Sequence, residues 1–177
     1  MPKIFAIFVN YNFGGNLAKA VSKVLAFPSV AGAVIVDNAS RDNSVAIAKK
    51  LKSKKPLKFI LNQKNKGFDI AINTGIKLAL SLGADYVIPL DTDLDFSRDF
   101  IIKLYNTGGD YVVPVLKFKR NGKWVYDYGG RVNWFIGRTT HLETSKPLDP
   151  QKAAISTSDR SIKNWIVSSF PKVFQPL

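Results

Sequence analysis

Residues 86–93 read Tyr-Val-Ile-Pro-Leu-Asp-Thr-Asp, a short apolar run that ends in two carboxylates, Asp91 and Asp93. The apolar run predicts a buried β-strand. Because side chains alternate along an extended chain, both carboxylates project to the same side. Open α/β sheets bind ligands at the carboxyl ends of their strands, and Mg²⁺ takes oxygen ligands that it shares with substrate phosphates. This stretch therefore predicts a metal-diphosphate site at a sheet edge.

The chain before Asp91 alternates between strand and helix patterns. Continuous apolar runs predict strands over residues 3–9, 33–36, 57–61 and 86–90. Apolar residues at helical spacing predict helices over residues 16–26, 43–53 and 68–82. Repeats of this length imply parallel strands joined by right-handed crossovers. The sequence therefore predicts an α/β fold, with a mixed but mostly parallel sheet and helices on both faces.

The third predicted helix combines an apolar stripe with an internal glycine. The stripe repeats every four residues, at Phe68, Ile72, Ile76 and Leu80. Such a stripe predicts a core-facing side of the helix. Gly75 costs about 1 kcal/mol relative to alanine inside a helix, which predicts that packing or a ligand requires it.

The pattern changes after Asp93. Asn121-Gly122 lies between two apolar-basic runs, which is a strong signal for a β-hairpin. Residues 139–158 are polar and contain Pro147 and Pro150, so they predict a loop. The length of 177 residues predicts a single domain over the whole chain.

The composition excludes several kinds of site. With no cysteine, the chain has no disulfide, zinc-thiolate site or thiol nucleophile. The only histidine, His141, excludes a two-histidine metal centre and disfavours a Ser-His-Asp triad. Neither a glycine-rich dinucleotide motif nor a phosphate-binding P-loop motif occurs in the sequence.

Apolar runs stay well short of the ~20 residues that cross a bilayer. Met1-Pro2-Lys3 leads directly into a strand-like segment, without a signal-peptide cleavage pattern. We therefore expect a cytoplasmic protein. The absence of cysteine and the abundance of lysine also fit a thermophile as the source.

The formal net charge of +13 favours anionic partners such as nucleotides, phospholipid headgroups or nucleic acid. One basic group comprises Lys49, Lys50, Lys52, Lys54, Lys55, Lys58, Lys64 and Lys66. The other comprises Lys117, Lys119, Arg120, Lys123, Arg131 and Arg138. A solvated surface is the alternative explanation. Nucleic acid is disfavoured because the lysine-rich stretch lacks interleaved aromatic residues. The basic surface and the aromatic tail, Trp165 to Leu177, could instead make a peripheral contact with an anionic membrane.

Polar residues follow all four predicted parallel strands. They are Asn10 and Asn12, Asp37 and Asn38, Asn65 and Gly67, and Asp91 and Asp93. Since parallel strands end at one edge, these residues are expected to line one crevice. Their carboxylates and amides can bind a nucleobase, ribose hydroxyls or a metal ion. Each residue alone could be a simple turn former, but four such sites together favour a ligand site.

Four sequence motifs in this order resemble family 2 glycosyltransferases with the GT-A fold. They are Phe8-Val9-Asn10-Tyr11-Asn12, Ile35-Val36-Asp37-Asn38-Ala39-Ser40, Asn65-Lys66-Gly67-Phe68 through Asn73-Thr74-Gly75-Ile76, and Leu90-Asp91-Thr92-Asp93. The resemblance covers roughly residues 3 to 115 and implies an inverting transfer from a nucleotide-sugar donor. A looser similarity is to the small glycosyltransferases of hyperthermophilic archaea and their viruses.

The resemblance also implies roles for these residues. Asp37, beside Asn38, would contact the base or ribose of the donor. Asn10 and Asn12 would line the same pocket, and Asn65 and Gly67 would lie beneath the nucleotide. Asp91 would face the ribose or the water shell of the metal, and Asp93 would ligate Mn²⁺ or Mg²⁺. Residues 1–115 would thus form a nucleotide-sugar-binding half, and residues 116–177 an acceptor-side half.

An inverting transfer needs a general base for the acceptor hydroxyl, which would belong to a sugar, a lipid-linked or a protein acceptor. The family often supplies this carboxylate from an acidic pair in the C-terminal part, but no Glu-Asp pair follows the sheet in this sequence. The remaining acidic candidates are Asp127, Glu143, Asp149 and Asp159. Asp149, in the polar loop, is preferred and Asp159 is next, although Asp149 could be a turn residue before Pro150. A nucleotidyltransferase, a degenerate nucleotide-binding relative and a basic nucleic-acid-binding protein remain the alternatives.

Overall fold

The structure is a computed structural model that describes residues 1–95, 97–108, 112, 114–133 and 138–147. The chain forms two compact units, which divide after Asn106. The described part of the first unit is residues 1–106 without residue 96, and that of the second lies within residues 107–147.

The first unit alternates strands and helices, as the sequence predicts. Its elements are β1 (Ile4–Asn10), α1 (Gly15–Leu25), β2 (Val30–Asp37), α2 (Ser44–Lys49), β3 (Leu57–Leu61), α3 (Phe68–Ser81), β4 (Tyr86–Pro89) and α4 (Phe100–Thr107), whose last residue falls after the division. The strands form one parallel sheet in the order β3-β2-β1-β4. The chain adds strands outward from β1 to β2 and β3, and β4 then pairs with the opposite edge of β1. The predicted α/β fold is confirmed.

Helices cover both faces of this sheet. On one face, alternate residues of β1, such as Phe8, pack with Leu17 and Val21 of α1 and with Ile101 of α4. On the other face, the intervening β1 residue Ile7 packs with α3. Because both faces of β1 are covered, its sequence is apolar almost throughout.

Helix α2 is shorter than the predicted helix, which extended to Ser53. The N–H groups of Lys50 and Leu51 donate at 3.1 Å to the carbonyls of Ile47 and Ala48. These bonds span three residues instead of four, so the last turn tightens and the helix ends.

Gly75 of α3 is required by packing against the sheet. A Cβ atom at Gly75 would lie 2.6 Å from Cγ2 of Ile7 and 3.0 Å from Cγ2 of Val36. Both side chains are completely buried and branched at Cβ, so neither can turn aside at low cost. The close approach of α3 to β1 and β2 therefore depends on a residue without a side chain.

Replacing Gly75 by valine is expected to lower the free energy of unfolding by about 3 kcal/mol, because the added methyl groups overpack the core. The same replacement at Gly15, where a Cβ would meet no atom within 4 Å, is expected to change it by less than about 0.5 kcal/mol. Denaturant unfolding followed by circular dichroism measures both. Equal stability of the two variants would contradict the packing explanation.

The second unit contains an antiparallel sheet in the order β5-β6-β7. Its strands are β5 (Leu116–Arg120), β6 (Lys123–Asn133) and β7 (Arg138–Thr144). The predicted hairpin at Asn121-Gly122 is confirmed: both residues have positive φ, 51° and 76°, as a tight two-residue turn requires.

The loop predicted over residues 139–158 is partly wrong, because Arg138–Thr144 is a strand paired with β6. Its three threonines are β-branched residues that suit a strand, although the segment is polar. The rest of that predicted loop from residue 148 lies outside the described residues.

None of the helices within the described ranges is long and apolar enough to cross a membrane.

Candidate active site

The polar residues predicted to share a crevice lie at the carboxyl edge of the parallel sheet. Asn10 and Asp37 end β1 and β2 and are direct neighbours in the register. Leu61 ends β3 beside Asp37, and the loop to α3 carries Asn65 and Gly67. On the other side of β1, Pro89 of β4 pairs with Ile7, so Asp91 and Asp93 follow at the same edge.

Asn10 and Asp37 form a buried polar pair. Asn10 is fully buried and Asp37 is 5% exposed. Nδ2 of Asn10 donates to Oδ1 of Asp37 at 2.7 Å, and to the hydroxyls of Ser40 at 2.9 Å and Ser44 at 2.7 Å. The amide has two hydrogens for these three acceptors, so at least one hydrogen is shared. The other oxygen of Asp37 accepts a bond from the Ser40 N–H at 3.0 Å.

Asn10 thereby ties the end of β1 to the segment that links β2 to α2. Its own carbonyl side-chain oxygen is buried and has no hydrogen-bond partner among the residues that the structure describes. Burying an acceptor without a hydrogen bond costs free energy. The orientation of the Asn10 amide is therefore set by the bonds from its Nδ2 to Asp37 and the two serines.

Asn38 organises the loop between β3 and α3. Its Nδ2 donates to Oδ1 of Asn65 at 2.8 Å and to the carbonyl of Gly67 at 3.1 Å. Its Oδ1 accepts from Nδ2 of Asn62 and from the Lys66 N–H, both at 3.1 Å. Asn38 is 2% exposed and all four hydrogen-bonding positions of its amide are used, so it holds the loop between β3 and α3 against the end of β2.

Asn12 and Gly67 form the more open part of this edge. Asn12 is exposed with φ of 62°, its N–H donates to Ser40 Oγ at 3.0 Å and its Oδ1 accepts from the Arg41 N–H at 2.7 Å. Gly67 has φ of 85°, a conformation that favours glycine, and a Cβ there would meet no atom within 4 Å. The space above Gly67 is therefore open to a ligand.

Asp91 and Asp93 follow β4 as two exposed carboxylates. The pKa of Asp91 is raised above its usual value, first by partial removal of its carboxylate from water and second by the negative charge of Asp93. Both causes disfavour the charged form of Asp91, and a cation bound beside the two carboxylates would favour it again. Between them, the Thr92 hydroxyl is buried without a hydrogen-bond partner among the described residues.

The two carboxylates of Asp91 and Asp93 fit a cation whose remaining ligands come from a substrate and from water. Across the described ranges, no three His, Cys, Asp or Glu side chains cluster closely enough to enclose a metal ion. Two carboxylates are what Mg²⁺ commonly takes from a protein when phosphate oxygens and water complete its shell.

The candidate general bases, Asp149 and Asp159, lie outside the described residues. Of the other acidic candidates, Glu143 is held by Arg120, whose two terminal nitrogens lie 2.7 and 3.0 Å from its carboxylate oxygens. Asp127 lies on β6 opposite Leu116 of β5 and Glu143 of β7.

Sequence reasoning missed the supporting residues of the edge. Ser44 is completely buried against Asn10, and Asn62 bonds to Asn38. Ser40 contacts Asn10, Asn12 and Asp37. The dense polar run from Asp37 to Ser44, directly after a buried strand, was the available signal.

The parallel sheet β3-β2-β1-β4, with helices on both faces and polar side chains at its carboxyl edge, has the architecture of the GT-A fold. The chain belongs to Glycosyl transferase family 2, whose profile matches residues 5–167. It is 37% identical over 95 residues to Uncharacterized protein MJ0544 of Methanocaldococcus jannaschii, which is 49% of this chain and 41% of that protein.

The solved structure of TarS agrees with this fold. TarS of S. aureus (residues 1–349) shares 23% identity with a TM-score of 0.50 over 59% of this chain and 31% of that chain. A 4-diphosphocytidyl-2C-methyl-D-erythritol synthase shares 12% identity with a TM-score of 0.49 over 93% of this chain and 85% of that chain. The chain thus spans less than half of the curated relative and about a third of TarS.

Proposed function

We propose that this protein is a glycosyltransferase that moves a sugar from a nucleotide-diphosphate donor to an acceptor hydroxyl, with inversion at the anomeric carbon. The observation that carries the proposal is the pair of exposed carboxylates after β4, Asp91 and Asp93, in a chain of this family. They share their sheet edge with the amides that follow β1, β2 and β3.

Donor binding is assigned to the carboxyl edge of the first unit. Asn12 and the open side of Gly67 would line the nucleotide pocket, with Asn65 beneath it. Asp37 already accepts two protein hydrogen bonds, but each carboxylate oxygen has a second lone pair for a base N–H or ribose hydroxyl. Asn10 and Asn38 would support this pocket from within.

Asp93 would hold Mn²⁺ or Mg²⁺ together with the donor diphosphate, and Asp91 would face the ribose side or the water shell. A divalent cation there would neutralise the charge that develops on the departing nucleoside diphosphate. The donor set of two carboxylates supports this role, because it leaves coordination positions for phosphate oxygens.

The chemical step would join the acceptor oxygen to the anomeric carbon while the bond from that carbon to the diphosphate breaks. The hydroxyl proton would pass to a carboxylate, for which Asp149 is proposed first and Asp159 second. The acceptor hydroxyl would belong to a sugar, a lipid-linked molecule or a protein.

Incubating the full chain with a panel of nucleotide sugars and Mn²⁺ tests the proposal. We expect one or more donors to release nucleoside diphosphate, and an added acceptor to raise the rate. Proton NMR of the product should show inversion of the anomeric configuration. A matched panel of nucleoside triphosphates with sugar phosphates is the control, measured by pyrophosphate release.

Each outcome of this assay has a distinct meaning. Pyrophosphate release without sugar transfer would replace the proposal with a nucleotidyltransferase. Tight binding of nucleoside diphosphates without turnover, with any acceptor, would indicate a degenerate nucleotide-binding relative. Retention of anomeric configuration would contradict the inverting mechanism and leave the transfer itself intact.

A further inference from the structure

One face of the antiparallel sheet in the second unit combines lysines with aromatic rings. In the β5–β6 register, Lys117 pairs with Tyr126 and Lys119 pairs with Trp124. Directly paired residues point to the same side of a sheet, and alternate residues of a strand share a face. We call these four side chains the basic aromatic face.

The lysines of this face are held against the rings. Nζ of Lys117 lies 4.3 Å from the ring centre of Trp124 and 5.4 Å from that of Tyr126. Nζ of Lys119 lies 4.9 Å from the ring centre of Trp124. These distances are within the range of cation–π attraction, which fixes two ammonium groups close together on the surface.

The negative side chains of the described part of this sheet lie on its other face. Asp127 pairs with Leu116 on one side and with Glu143 on the other. Because Leu116 is adjacent to Lys117 in the strand, these residues point to the opposite face from Lys117. There, Glu143 binds Arg120 in a two-pronged ion pair. Within the described part of this sheet, the basic aromatic face therefore carries positive charge without a negative side chain on the same face, and Thr144 of β7 pairs with its Tyr126.

Apolar surface accompanies this charge. Trp124 is 47% exposed, and Val115, which directly precedes β5, is 46% exposed. Tryptophan and tyrosine favour the interface between lipid and water, while lysine stems can lie along apolar surface with their charges toward the headgroups. Both properties of the face match one kind of partner, an anionic bilayer surface.

We propose that the basic aromatic face docks this protein on the surface of an anionic membrane. A nucleic acid would also meet the charge, but single strands bind by stacking bases on open ring faces. Here the ring of Trp124 is already contacted by two ammonium groups. The sequence suggested membrane contact through the basic surface and the aromatic tail, Trp165 to Leu177. The tail lies outside the described residues, and the hairpin belongs to the second basic group of that surface.

Flotation of the full chain with lipid vesicles tests this proposal. Vesicles of phosphatidylcholine alone are compared with vesicles that also contain about 30% phosphatidylglycerol, at low and high salt. We expect binding to the anionic vesicles only, and release at high salt. Because the assay contains no nucleotide sugar, its result is independent of whether the protein transfers sugar.

The Lys117→Ala/Lys119→Ala double variant should bind anionic vesicles about 30-fold more weakly, since each lysine near an anionic surface contributes roughly fivefold. The matched control is Lys52→Ala/Lys54→Ala, which removes the same charge from exposed positions in the lysine-rich stretch after α2. The control should change binding less than about threefold. Thermal unfolding confirms that both variants fold.

Three results would overturn the proposal. They are no binding of the native chain to anionic vesicles, equal losses in the two double variants, and equal binding to neutral vesicles. A single-stranded oligonucleotide that binds more tightly than vesicles, and loses affinity in the Lys117/Lys119 variant, would assign the face to nucleic acid.

Discussion

The Asp93→Ala variant is expected to release nucleoside diphosphate from its donor about 1000-fold more slowly than the native chain in the presence of Mn²⁺. Without Asp93, only Asp91 of the pair remains to hold a cation against the donor diphosphate. The charge on the leaving group would then develop with much less stabilisation. Initial rates across a range of Mn²⁺ concentrations measure the effect.

Asp95 provides the matched control for this variant. It lies two residues further along the same segment, with a 96% exposed side chain in an ion pair with Lys23. Surface pairs of this kind contribute less than about 1 kcal/mol, so Asp95→Ala should keep turnover within about threefold of the native rate. Titration with nucleoside diphosphate supplies a second measurement, because Asp93→Ala should lose the tightening of binding caused by Mn²⁺.

Native turnover in Asp93→Ala would show that Asp93 does not hold a required cation. Equal losses in Asp93→Ala and Asp95→Ala would instead point to a damaged segment after β4. A loss of turnover that higher Mn²⁺ concentrations restore would support the assignment, since the weakened site would then be filled by mass action.

The parallel sheet could be predicted because its strands, such as β1, are continuous apolar runs in the sequence. The strand β1 is apolar on both sides, and helices cover both sides in the structure. The register of parallel strands then brings Asn10 and Asp37 to one edge without further information. The carboxylates after β4 join this edge for the same reason.

The direction of individual side chains could not be predicted in the same way. Phe68 and Leu80 were predicted in the apolar stripe of α3, yet they are 51% and 38% exposed. The buried side of the helix is instead formed by Ala71, Ile72, Gly75, Ile76 and Ala79. Asp37 is predicted to contact the nucleotide-sugar donor, and the two hydrogen bonds that hold it, from Nδ2 of Asn10 and from the Ser40 N–H, could not be predicted. Such contacts arise from tertiary structure rather than from local pattern.

The second unit was the hardest part of the fold to predict, because its sequence signals are the weakest. The threonine-rich strand β7 lacks the apolar run that identifies β1, so its sequence resembles a loop. A polar strand is defined by its partner, and here the partner is β6. Of the candidate bases beyond it, Asp149 had only its place in a predicted loop to support it, and Asp159 was the second choice.

The Asn10→Ala variant is expected to lower the free energy of unfolding by about 3 kcal/mol. It removes three hydrogen bonds at once and leaves Oδ1 of Asp37 buried without its amide donor. A hydrogen bond to a charged group contributes about 1.5–3 kcal/mol, and an unsatisfied buried acceptor costs a similar amount. Denaturant unfolding measures this change, with Asn16→Ala on the exposed side of α1 as the matched control.

The same variant separates support from direct contact at the donor pocket. If Asn10 only supports Asp37, then Ser44→Ala, which removes a buried acceptor of the same amide, should weaken nucleoside diphosphate binding in proportion to its own loss of stability. If Asn10 instead touches the nucleotide through its otherwise unpartnered Oδ1, Asn10→Ala should weaken nucleoside diphosphate binding far more than Ser44→Ala does, beyond the difference between the two variants in stability. A stability change in Asn10→Ala below about 0.5 kcal/mol, the level expected for Asn16→Ala, would contradict both versions. The end of β2 would then be held by the Ser40 N–H and the loop bonds of Asn38, rather than by the strand beside it.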